Sequence, residues 1–205
     1  MKTATRVTAS VLGVYAGLLG IEHGIFEIGQ GNKAPLNLMI NAIGPPCQPE
    51  AVWHACFPAL TLIPNFLITG IAVILVGLSI LVWGSRFVHR KNGGLFLITL
   101  SLLLLSIGGG FVPAFVGVSA GIAGTRIDNQ PKWKPAPFLA NLWPWALGLL
   151  LFWFPGSWVV GYFFGQVMLD MGTFLFLFFD ISLPILIVIF AFFFDIQKVE
   201  VHERF

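Results

Sequence analysis

Apolar residues in this chain come in blocks too long for the core of a water-soluble domain. A run of about 18 or more apolar residues reads as a membrane-crossing helix. Such runs cover residues from about 7 to 28, from about 60 to 83, and from about 95 to an end between 118 and 123. Two more start near 138 and extend from about 173 to 194. The fourth is expected to be interrupted around Phe154, Pro155, Gly156 and Ser157. None alternates with the period of two that a membrane-barrel strand requires. The expected fold is all-α: a polytopic integral membrane protein of about five transmembrane helices, forming one domain over residues 1–205.

Polar connectors separate these runs. Residues 29–58 include Pro35, Pro45, Pro46 and Pro49, which exclude one long helix and predict an ordered extracytoplasmic loop. Residues 85–92 are short and basic, and 125–137 carry Arg126, Lys132 and Lys134. The basic start through Arg6, followed by an apolar run to Ile21, has the shape of a secretory signal peptide. It is read here as the first span.

Lysine and arginine in short loops set orientation, because they are enriched on the cytoplasmic side. Lys2, Arg6, Arg86, Arg90 and Lys91 share one side, and Lys33 lies opposite. This places the N-terminus in the cytoplasm of a multi-pass cell-membrane protein. Five simple crossings then leave Arg126, Lys132 and Lys134 outside, against the rule. Gly108, Gly109 and Gly110, followed by Pro113, offer a resolution. A re-entrant hairpin within residues 95–124 would return both the following loop and the tail to the cytoplasm. Non-helical backbone at membrane depth must be buried in protein or line a wet cavity. The alternative is a long tilted helix whose glycines serve packing.

Composition agrees with the pattern. The chain is 57% hydrophobic and 10% charged, against about 25% charged in a soluble domain. Its expected partner is therefore the lipid bilayer. A net charge of +2 without a basic stripe gives no basis for nucleic-acid binding. Phosphate-binding loops, nucleophile elbows and dinucleotide fingerprints are absent from the sequence.

Against this background four ionisable residues stand out. Glu22, His23 and Glu27 fall near the end of the first span, and Asp180 lies well inside the fifth. An ionisable group within a span is a functional candidate by default. On a helix, His23 and Glu27 are four residues apart and adjoin each other. Glu22 turns away, towards the side of Tyr15 seven residues earlier. Burial disfavours a charged carboxyl, and histidine titrates near neutral pH. If Glu22, His23, Glu27 and Asp180 face one cavity, they suit proton or ion handling, or transport of a small solute. The competing reading is a wet helix end for the first three and a protonated Asp180 bonded to nearby backbone. Carboxylate and imidazole also suit metals. However, one helix supplies only two ligands on one face and no second Glu-x-x-His segment follows, so no metal is expected. Pro184 cannot donate to the Asp180 carbonyl, which predicts a kink.

Gly13, Gly17, Gly20 and Gly24 form one narrow stripe of two small-xxx-small repeats, expected to seat a neighbouring helix. Cys47 and Cys56 are the only cysteines and fall in the loop placed outside. An oxidising exterior favours a disulfide between them, contributing about 2–3 kcal/mol for so short a loop. Asn65 follows Pro64 and is expected to cap the second span. Trp133, Trp143, Trp145, Trp153 and Trp158 are expected as interfacial anchors. The glycine stripe, the 21 phenylalanines and the lack of a soluble domain also suit a non-catalytic subunit or assembly factor. Its partners would be other membrane subunits or further copies of the chain. A membrane enzyme acting on lipid or quinone is a third class, for which no catalytic motif appears.

Overall fold

The computed structural model describes residues 3–41, 57–129, 131, 133–134 and 136–203. Helix α1 (Ala4–Gly29) begins at Thr3, whose hydroxyl accepts the Arg6 N–H at 3.2 Å. Helix α2 (Phe66–Arg86) begins at Asn65, which caps it as expected by accepting the Ile68 N–H at 3.1 Å.

The two helices run antiparallel with their backbones in near contact. Gly17 lies against Gly77, Gly24 against Gly70 and Gly13 against Gly84. A Cβ on Gly17 would fall 2.7 Å from the Gly77 carbonyl oxygen. Glycines on α2 recur every seven residues, so each meets α1 on the same face. Gly20 departs from this pattern and faces Leu104 of the next helix. The stripe therefore seats two neighbours rather than one.

The third apolar stretch is two helices, α3 (Gly93–Ser106) and α4 (Phe111–Thr125). At 1.5 Å per residue each is about 21–22 Å long, short of the ~30 Å hydrocarbon core. They fold back on each other. Gly94 packs against Gly121, Gly124 and Thr125, and Ser101 packs against Gly117. The break at residues 107–110 turns through Gly108 (φ +111°) and Gly110 (φ +80°), a region glycine enters freely. The hairpin, not the long tilted helix, is the arrangement adopted.

Helix α5 (Pro137–Phe163) runs through Pro144 and Pro155 without interruption, contrary to expectation. A proline removes one hydrogen bond, and in an apolar setting neighbouring helices tolerate that loss. Two short helices, α6 (Gly165–Asp170) and α7 (Gly172–Leu175), lead into a π-helical segment (Phe176–Ser182) and then α8 (Leu183–Glu203). The expected kink at Pro184 takes the form of this π segment. The chain widens upstream of a residue that has no N–H to donate.

Four helical stretches are long and apolar enough to cross a membrane: Ala4–Gly29, Phe66–Arg86, Pro137–Phe163 and Gly172–Val199. Their outward faces are apolar, as with Ile71, Leu75, Leu78 and Val82 on α2. Lipid suits such a surface and water does not. The largest fully buried apolar side chains lie inside the bundle, at Leu12, Ile80, Leu97, Leu104, Leu150 and Ile187.

One end of the bundle collects the cations. Asp195 of α8 accepts the Ala4 and Thr5 N–H groups at 2.8 and 2.9 Å, and Trp143 of α5 donates to Thr8 at 2.8 Å. The α1 start, the α2–α3 turn, the α4–α5 link and the α8 end therefore share that end. Arg6, Arg86, Arg90, Lys91, Arg126, Lys134 and Lys198 lie there, while Lys33 lies at the other. The hairpin removes the charge conflict that five crossings create.

At the Lys33 end, β1 (Met39–Asn41) pairs antiparallel with β2 (Pro58–Leu60), Met39 opposite Leu60. Beyond β2, Thr61 bridges to Ile107, and the Leu62 N–H donates to the Ser106 carbonyl at 3.0 Å. The chain following β2 is thus tied to the tip of the α3–α4 hairpin. Cys47 and Cys56, expected to pair, lie outside the described residues.

Candidate functional site

Glu22 and Asp180, on the first and last long helical stretches, line the same cavity. Tyr15 and His23 join them, with Phe57, Pro113, Trp153, Phe154, Ser157 and Trp158 among the other walls. The cavity measures about 50 Å³. One water needs roughly 10–15 Å³ of such space, so the cavity accommodates a few waters. Organic ligands occupy pockets of about 300–1,000 Å³. Among the described residues no lysine or arginine lines it.

Each wall has a local cause. Tyr15 sits seven residues before Glu22, two turns away on one face of α1, and is 7% exposed. Its ring meets Phe154 edge-on at 5.1 Å, and its hydroxyl lies within electrostatic range of both Glu22 and Asp180. Asp180 projects from the π segment. Phe179 beside it stacks on Trp153 at 3.8 Å and 9°. Glu22 Oε1 is buried and has no hydrogen-bond partner among the described residues.

Glu27 does not join this cavity. Its side chain is 0% exposed, and among the described residues neither carboxyl oxygen has a hydrogen-bond partner. It presses on the hairpin break, where a Cβ on Gly108 would lie 2.6 Å from Oε1. His23 stands between the two places: it lines the cavity, and its ring fills the space a Cβ on Gly110 would need. Of the four residues singled out by sequence, three therefore share a chamber and Glu27 is sealed behind it. Among the described residues no three His, Cys, Asp or Glu side chains converge on a metal-sized site.

Three features escape a reading of periodicity. Trp153 and Trp158, expected at the interface, line the cavity. Gly108 and Gly110 clear space for Glu27 and His23 as well as turning the chain. Asp195, just past the last apolar run, is 6% exposed and caps α1. A lone acid after a long apolar run was the available signal for the last. No family model matches the chain, and neither a curated protein nor a solved structure matches it.

Proposed function

We propose that this is a small integral membrane protein that handles protons through the chamber shared by Glu22, His23, Asp180 and Tyr15. The observation that carries this reading is the meeting of two acids, from opposite ends of the sequence, in one small cavity whose described walls hold no lysine or arginine. Acids and imidazole that face confined water can exchange protons through it. The cavity volume favours protons or small ions over the organic solutes also considered from sequence.

The charge distribution supports an orientation. Seven described cations at one end and Lys33 at the other suit both termini in the cytoplasm and the β1–β2 loop outside.

The test is proton flux into vesicles carrying the purified chain, read with an enclosed pH-sensitive dye under an imposed potential. Wild-type protein is expected to conduct above protein-free vesicles. Glu22→Gln and Asp180→Asn should each remove most of that flux while leaving the protein folded. Wild-type vesicles that leak no faster than empty ones would overturn the reading.

A further inference from the structure

We propose that Glu27 and the break between α3 and α4 form an inner site for a single small cation, a proton or a dehydrated Na⁺, reached from the outer chamber through His23. The inference rests on the proposed function only in taking His23 as the link between the two.

Glu27 is wholly buried, and both its carboxyl oxygens lack a hydrogen-bond partner among the described residues. An uncompensated buried carboxyl is among the most expensive groups a fold can hold. It is also aimed at the break between α3 and α4, where the backbone leaves helical geometry. The carbonyl end of α3 and the N–H end of α4 both terminate at residues 107–110. Helices broken inside a membrane present such ends to ions and to acidic side chains. The clearance is specific. Substituents at Gly108 and Gly110 would strike Glu27 and His23 respectively, and both glycines hold positive φ. Thr69 of α2 closes the far side, its methyl 2.5 Å from where a Gly108 Cβ would lie. Its hydroxyl is held by Thr61 at 3.2 Å and the Ile63 carbonyl at 3.2 Å.

His23 is the titratable group facing Glu27 from its own helix. The α2 helix carries only Arg86, at its opposite end, and α3, α4 and β2 carry no charged or titratable residue. Lys33 lies in the exposed loop, where its carbonyl accepts the Phe66 N–H. A proton on the His23 imidazolium can therefore pass to a Glu27 carboxylate oxygen, leaving neutral imidazole and a neutral acid. In the Na⁺ case the ion replaces that proton on the carboxylate.

Infrared difference spectra of the full chain in vesicles test this without requiring any flux. One set steps pH at constant Na⁺, and the other exchanges Na⁺ for choline at constant pH. The expected result is a carboxyl signal that disappears in Glu27→Gln and persists in Glu22→Gln and Asp180→Asn. A signal moved by pH alone identifies a proton, and one moved by Na⁺ at constant pH identifies the metal ion. Glu27→Asp keeps the acid and should shift the signal rather than delete it, which guards against a Gln variant that fails to fold. Spectra unchanged from wild type in both Glu27 variants would overturn the inference. Flux lost in Glu22→Gln alongside such unchanged spectra would leave the outer chamber standing without it.

Discussion

Asp195 joins the last helix to the start of the first. Its two carboxylate oxygens accept N–H groups that the first turn of α1 cannot satisfy internally. A negative charge there also meets the positive end of the helix dipole. Asp195→Ala leaves two buried donors unpaired and is expected to cost about 2–3 kcal/mol, read as a lowered unfolding midpoint in detergent. Gly108→Ala combines positive φ with collision against Glu27 and Thr69. The backbone strain alone is of order 1–3 kcal/mol. A Gly108→Ala protein as stable as wild type would show that the hairpin break relaxes easily and that Glu27 is not fixed there.

At the level of elements, the glycine stripe makes a discriminating prediction. Gly17 and Gly24 meet backbone atoms of α2, which cannot step aside singly. Gly20 meets the end of the Leu104 side chain, with a Cβ contact of 3.0 Å to side-chain rather than backbone atoms. Gly17→Ala and Gly24→Ala are each expected to destabilise by roughly 1–3 kcal/mol. Gly20→Ala should fall well below that on the same unfolding measurement. Equal losses at all three positions would contradict the split between two neighbours. The π segment yields a second test. Pro184→Ala restores an N–H that can bond the Asp180 carbonyl and lets ordinary α geometry return. Asp180 should then rotate away from the chamber, lowering proton flux with little change in stability.

For the whole molecule, the hairpin decides which ends share a side. With the native cysteines replaced, single cysteines at Lys91 and Lys134 should react with an impermeant reagent from one face of the membrane, and one at Lys33 from the other. Labelling of positions 134 and 33 from the same face would mean that residues 95–124 cross fully. The sequence by itself determined the membrane setting, the all-helical class and the residues to watch. Each follows from properties carried locally: long apolar runs, prolines in connectors, and acids where hydrocarbon leaves them conspicuous. Periodicity also placed Glu22 with Tyr15 and apart from Glu27, because both separations lie within one helix. Only the tertiary structure decided that Asp180 meets Glu22, that α3 and α4 form a hairpin, and that Glu27 is sealed from the chamber. It also assigned Asp195 to the first helix and two tryptophans to the cavity wall. These depend on contacts between residues as much as 191 positions apart, and on whether a glycine run bends or stays helical. The glycine run and Pro113 permit both arrangements, and the close packing of α3 on α4 decides between them.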